Sequence, residues 1–366
     1  MMTALTWETL EVFTITSATG TANIYANGRQ QAKLSITLQA IDINGQPVPL
    51  TQSERDSLQL IDTQGRPIEV DPLDYKNPPF GRHALELQQY NPKEYDLVAA
   101  KRVDFNSQKH DRLQYNKYRR DLNGVNWMWS RSENTVFKHF PLAQGERQPK
   151  DDYHSADEHV FRIEVYVRTI SSSPLTIAAQ LTRRDGQKVF SHRPQRESGT
   201  LTLYPVTPPM YAAREYKFSR IVMRGNVESK QNFESLDYYD FSLFSNQVNI
   251  EFLRFDMTPI SIRRDAQAPK ERGSITGFTY PGDDNFNFGM ALKSLPLKLS
   301  SSFGGAGKVY VCLARQARFS PVPGATNRDP VASRGPSVIR AMDMYGNDHQ
   351  MRLQFQGNGR NFLELV

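Results

Sequence analysis

The phrase Asp-x-x-Gly, set between runs in which apolar and polar residues alternate, constrains this chain more than any other feature. In AKLSITLQAID, Leu34, Ile36, Leu38 and Ala40 fall on one side of an extended chain, and Lys33, Ser35, Thr37 and Gln39 on the other. A period of two marks a strand with one packed face and one wet face. Asp42-Ile43-Asn44-Gly45 then reverses the chain. The carboxylate accepts from backbone N–H groups, and glycine takes the positive φ that closes a hairpin. The same device recurs at Asp62–Gly65 and Asp343–Gly346, and Asp185-Gly186 caps another alternating run, LTIAAQLTRRDGQKVF. Set beside AIDINGQP, AMDMYGND reads either as a second copy of the opening motif or as the same turn solution used again, and no constant period marks a solenoid or propeller.

The rest of the chain keeps this grammar. Phe161, Ile163, Val165 and Val167 share a face in VFRIEVYVRT, and further alternating runs follow to Phe355. With 22 Gly, 22 Pro and 11% aromatic residues, short strands joined by turns are expected rather than helix bundles. One helical turn is expected at Thr51-Gln52-Ser53-Glu54, which fits a capping box. A length of 366 residues exceeds one hydrophobic core. The expected fold is mainly β, in two or three β-sandwich-like domains.

The stretch ANGRQQAKLSITLQAIDINGQPVPLT resembles the bacterial immunoglobulin-like domains of the invasin and intimin type. Those carry a similar Asn/Asp-Gly start, an alternating central strand and an Asp-x-x-Gly-x-Pro-Val turn. The resemblance implies an immunoglobulin-like β domain over residues 1–72 and a role at a surface. The remainder divides into an irregular polar connector or surface excursion (73–155), a central β-sandwich (156–300) and a C-terminal β-hairpin element packing on a sandwich (301–366).

Several function classes lose ground on the residues alone. No run of about 18 apolar residues is present to form a membrane-spanning helix. The net charge of +6 is mild and its signs are interspersed, so no nucleic-acid partner is expected. The first twenty residues show no basic segment followed by an apolar one, which points to cytoplasmic synthesis with non-classical release. Cys312, the single cysteine, excludes an internal disulfide, and its place in KVYVCLARQ makes it a buried strand residue.

Candidate chemistry is thin. DDYHSADEH (151–159) gathers carboxylates and imidazoles suited to a divalent ion, but its spacing matches no established zinc motif and a solvated acidic loop is the plainer reading. PGDDN (281–285) reads as a surface turn. GGAGK (304–308) is not a phosphate loop, because Ser302 stands where glycine is needed and Val309 where Ser or Thr is. Asp237 and Asp240 would serve a glycosidase only if they converged on one sugar. No catalytic residue, metal ligand or cofactor is assigned.

The strongest binding candidate is the basic and aromatic stretch from 109 to 131: Lys109, Arg112, Tyr115, Tyr118, Arg119, Arg120, Trp127 and Trp129. Aromatic faces stack on sugars, and guanidinium groups attract phosphate and sulfate. The plainer alternative is that Trp127 and Trp129 plug a sandwich. The expected function is a non-enzymatic bacterial or phage-borne surface protein with a receptor-binding or structural role. Its partners would be a protein or glycan receptor and a membrane surface, and the protein would be a homo-oligomer. The alternative is a soluble pore-forming or insecticidal toxin, for which TITSATGTANIYANG and FSLFSNQVNIEFLRFD are the candidate inserting segments.

Overall fold

A computed structural model describes residues 7–71, 125–141, 159–192, 198–222, 235–245, 248–265, 272–283, 285–288, 307–318 and 335–366. The protein is mainly β and divides into two compact units, Met1–Pro208 and Pro209–Val366. Each is built from two sheets.

Unit 1 contains β1 (Thr9–Ser17), β2 (Asn23–Tyr25), β3 (Ala32–Ile41), β4 (Pro47–Val48), α1 (Gln52–Asp56), β5 (Gln59–Asp62) and β6 (Glu69–Val70). It continues with β7 (Trp127–Ser130), β8 (Val160–Thr169), β9 (Leu175–Thr182), β10 (Lys188–Phe190) and β11 (Thr200–Val206). One sheet runs β1-β3-β8-β7-β6, with β4 beside β3; the other runs β10-β9-β11-β2, with β5 beside β9. The alternation of β3 puts Leu34, Ile36, Leu38 and Ala40 into the core, where they meet Val165 and Val167 from one sheet and Ile177, Ala179, Leu181 and Leu203 from the other. Ser35 and Thr37, expected on a wet face, are buried too. As a central strand, β3 sets these short side chains opposite Glu164 and Arg162 of β8, which are long enough to cover them.

This arrangement differs from the expected boundaries at 72/73, 155/156 and 300/301. Strands before residue 72 pair with strands after 156: β3 with β8, and β5 with β9. The first 72 residues therefore supply part of a larger sandwich rather than closing one of their own. The expected connector contributes a genuine sheet strand, β7, antiparallel to β8 and parallel to β6. Residues 72–124 and 142–158, which include the Asp151–Glu158 part of the acidic cluster, lie outside the described residues.

Unit 2 contains β12 (Tyr216–Val222), β13 (Ser235–Ser245), β14 (Val248–Ile250), β15 (Phe252–Thr258), β16 (Arg263–Asp265) and β17 (Arg272–Thr279). After these come β18 (Phe286–Asn287), β19 (Val309–Arg318), β20 (Ser337–Asp343), β21 (Asp348–Phe355) and β22 (Leu363–Leu365). The larger sheet has the order β12-β13-β19-β17-β16, and the smaller β15-β20-β21-β22. Aromatic rings join them. Phe241 of β13 lies 5.2 Å from Phe252 and 5.1 Å from Phe255 of the opposite sheet, and Phe255 lies 5.4 Å from Phe278. The C-terminal segment is thus no appended hairpin: β19 is a central strand of one sheet, and β20 to β22 make up most of the other.

The two candidate inserting segments are built into this frame. β1 and β2 fall in different sheets, so TITSATGTANIYANG forms no hairpin of its own. In FSLFSNQVNIEFLRFD, β13 and β14 form a hairpin, but β13 is also paired along its other edge with β12 as far as Leu243 and carries the buried Phe241 and Leu243.

Candidate functional site

The basic and aromatic stretch can be followed only from residue 125. Lys109, Arg112, Tyr115, Tyr118, Arg119 and Arg120 lie outside the described residues. Trp127 and Trp129, two apart on β7, face the same side, and that side is the core. Trp129 is 4% exposed, and its indole N–H donates to the Ile68 carbonyl at 3.1 Å. A buried ring offers no face to a ligand, so Trp129 is a core residue rather than a binding platform. Trp127 is half-buried against the same core. The Arg131 guanidinium is also engaged, donating to the carbonyls of Arg55 and Asp56 at the C-terminal end of α1.

Beyond β7, residues 131–141 form a loop with no regular structure that is nonetheless tied down at several points. Gln30 and Gln31, both buried, do most of this. The Gln31 Oε1 accepts from the Asn134 backbone at 2.6 Å, and His139 Nδ1 donates to the Gln31 carbonyl at 2.8 Å. The Gln30 amide bridges two strands of chain: Oε1 accepts from Tyr25 N at 2.8 Å, and Nε2 donates to Lys138 O at 3.0 Å. Such bonds replace the ladder that a loop lacks and satisfy backbone groups that would otherwise be buried bare. Their result is a ring pair, with Phe140 4.7 Å from Tyr25 at 47°. In the parallel register of β2 and β11, Tyr204 lies opposite Asn23 and Val206 opposite Tyr25. Tyr204 therefore shares the outer face with Tyr25, and it is 51% exposed.

Charged groups border this loop. The Tyr166 hydroxyl lies 3.2 Å from Glu164 and 3.4 Å from Glu133, and Glu164 pairs with Lys33 at 2.8 Å. Burial, then the two nearby carboxylates, push the phenol well above the usual tyrosine range. Tyr166 is thus a hydrogen-bond donor and no nucleophile.

Unit 2 buries several titratable groups. Asp237 and Asp240, three apart on one strand, point to opposite faces: Asp237 is fully buried, while Asp240 lies 3.4 Å from Lys217. They cannot flank one sugar bond. Asp343, His349 and Tyr216 form a buried chain of hydrogen bonds. Cys312 is buried on β19, and burial raises its thiol well above the ordinary range. Among the described residues no three His, Cys, Asp or Glu side chains are grouped to hold a metal ion.

Nothing in the residue order joins Gln30, Gln31 and Phe140, since they meet only through contacts more than a hundred residues apart. The alternation rule could have separated Asp237 from Asp240, because an odd spacing on a strand always does so.

No protein-family model and no curated protein sequence matches the chain. Among solved structures, the Yersinia pseudotuberculosis adhesin InvE aligns over 93% of this chain and 57% of its own, at 8% identity and a TM-score of 0.21. The chain thus spans little more than half the length of that structure.

Proposed function

We propose that the protein is a non-enzymatic interaction protein that engages a protein or glycan receptor through the loop face of its first unit. The observation that carries this reading is the pinned 131–141 loop, which holds Phe140 against Tyr25 with Lys138 and Tyr204 exposed nearby. Loops fixed by a rigid scaffold are where binding groups concentrate. A preordered aromatic pair loses little freedom on meeting a ligand, which improves affinity without new contacts. Assembly into a homo-oligomer, contact with a membrane surface and an immunoglobulin-like character of the N-terminal strands belong to the same proposal. The toxin reading would require a hairpin able to leave its sheet, and β13 is paired along both edges.

Screening the full chain against arrays of glycans, lipids and cell-surface proteins tests the proposal. A specific ligand whose binding is lost in a Tyr25→Ala, Phe140→Ala double variant of unchanged melting temperature is the expected result. Turnover of a small substrate abolished by one carboxylate substitution would sink it.

A further inference from the structure

The inner face of the larger sheet in unit 2 carries an ion cluster in which, among the described residues, the cations outnumber the anions. Asp237 shares a strand face with Tyr239 and Phe241, and Phe241 touches the opposite sheet, so the carboxylate points between the sheets. It is fully buried. From β12, Arg220 Nη2 donates to its Oδ2 at 2.8 Å; from β19, Arg315 lies 3.0 Å from the same oxygen through Nε and donates to Oδ1 through Nη2 at 3.3 Å. Register explains the convergence, since Arg220 stands opposite Tyr239 and Arg315 opposite Ser235, on the same face. Among the described residues, two guanidinium groups thus meet one carboxylate, one positive charge more than it neutralises.

That surplus reaches the surface. The side chains of Arg220 and Arg315 remain 24% and 22% exposed. Arg220 Nε is buried and has no hydrogen-bond partner among the described residues. Phe362, 47% exposed, lies 4.7 Å from the Arg220 guanidinium and is anchored by its neighbour Leu363, whose N–H donates to the Tyr239 hydroxyl. Arg360, two residues earlier in the same loop, has a buried Nη1 with no hydrogen-bond partner among the described residues. A structural salt bridge needs neither the second arginine nor an exposed ring beside it.

We infer that Arg220 and Arg315, aligned by Asp237 and flanked by Phe362, bind the oxyanion of an acidic sugar residue. A guanidinium presents paired N–H donors that match the two oxygens of a carboxylate or sulfate. The aromatic ring alongside supplies a flat apolar face for the sugar's C–H groups. Asp237 is a positioning residue that fixes both guanidiniums without touching the ligand. The inference goes beyond the receptor reading: it names a ligand chemistry at a separate site, in the second unit.

The test is calorimetric titration of the full chain with three probes: a heparin-derived sulfated hexasaccharide, a trigalacturonate and the neutral maltotriose, with inorganic sulfate as a fourth. Binding of at least one acidic saccharide, silence with maltotriose, and a loss of about tenfold or more in Arg220→Gln are expected, one charge-assisted bond corresponding to roughly that factor. Phe362→Ala, an exposed position that leaves folding intact, should weaken saccharide binding while leaving sulfate unchanged. Binding to both acidic saccharides at undiminished affinity in Arg220→Gln and Phe362→Ala would overturn the inference, as would binding to neither, or equal binding of maltotriose. Sulfate matching the saccharides, with no effect of Phe362→Ala, would overturn the sugar assignment. If the Tyr25, Phe140 variant still loses its receptor in any of these cases, this site fails while the receptor reading stands.

Discussion

The Tyr216 hydroxyl lies 2.8 Å from Nδ1 of His349, and with that bond β12 of one sheet is tied to β21 of the other. Burial, ahead of the nearby Tyr211 and Asp343, raises the phenol well beyond its normal range, so Tyr216 keeps its proton and has it to donate. His349 Nδ1 then accepts, and Nε2 carries the hydrogen toward Asp343 Oδ2 at 3.2 Å. Tyr211 stacks on the imidazole at 12° and Phe252 meets it edge-on, which keeps water out. Tyr216→Phe removes the donor and leaves Nδ1 buried and bare, an expected loss of about 1–3 kcal/mol. Urea unfolding of the full chain checks the size, and nitrogen NMR of His349 should show its tautomer preference relaxing. An unchanged midpoint and an unchanged spectrum would contradict this account.

Among the described residues, the turn that carries Asp343 is one of three copies with the same bonds. In each, the glycine N–H donates to the aspartate carbonyl, and the aspartate Oδ1 accepts from the residues two and four further on: Asn44 and Gln46, Gln64 and Arg66, Tyr345 and Asn347. Gly45, Gly65 and Gly346 sit at φ of +77°, +80° and +81°. Nothing lies within 4 Å of a Cβ built on Gly45 or Gly65, so alanine there should cost only the backbone term, about 1–2 kcal/mol. Burial separates the aspartates. Asp343 is 1% exposed, whereas the other two turns face water. Asp343→Ala strands two backbone N–H groups, an amide and His349, and should destabilise the chain well beyond Asp42→Ala, where solvent replaces what is lost. Parallel denaturation curves of the two variants decide it; equal midpoints would mean that burial of the turn is immaterial.

These turns show what could be read from the residues and what could not. Chemistry acting within five residues was legible: each Asp-x-x-Gly reversal, and the Thr51–Glu54 capping box, whose two reciprocal bonds are present. Strand parity was legible too, since Leu34 to Ala40 are inward as alternation requires. Which strands pair was not, because β3 with β8 joins positions more than a hundred residues apart and nothing local encodes that choice. The same limit left Trp129 open between binding platform and core plug: its burial depends on Ile68 and β8, and only its polar, basic neighbours lie nearby in sequence. Asp237 looked like half of a carboxylate pair until its true neighbours, Arg220 and Arg315, arrived from two other strands.

Glu54 makes the first unit sensitive to acid. Burial favours its neutral form, but this is outweighed: Oε2 accepts the Thr51 hydroxyl at 2.7 Å and its N–H at 2.9 Å, while Oε1 accepts the Trp7 indole at 2.8 Å and Arg184 N at 3.1 Å. The carboxyl is therefore held below the ordinary value of 4.5. A group lowered by folding lends stability above its unfolded pKa and loses it as pH falls through the folded one. Melting should thus be steady near neutrality and decline below about pH 4.5, with Glu54→Gln less stable at pH 7 but flatter across the acid range. Parallel slopes for the two proteins between pH 5 and pH 3 would remove Glu54 from the explanation.

Arg168 is among the largest fully buried side chains, and Asp71 meets it with both oxygens, Oδ2 to Nε at 2.5 Å and Oδ1 to Nη2 at 2.9 Å. The remaining nitrogen, Nη1, donates to the Gly28 carbonyl at 2.9 Å. One guanidinium therefore ties β8 to the residue after β6 and to the 26–31 loop, on which the proposed binding face depends. A paired buried ion adds little net stability, but removing one partner strands the other charge and costs about 3–5 kcal/mol. Asp71→Asn should fall in that range. Asp71→Ala combined with Arg168→Met, which removes both charges, should recover much of the loss. The loop supplies a second readout: with Gly28 released, hydrogen exchange at Arg29 to Gln31 should quicken in Asp71→Asn before global unfolding begins. Protection there equal to that of the parent chain would show that Gln30 and Gln31 alone hold the loop.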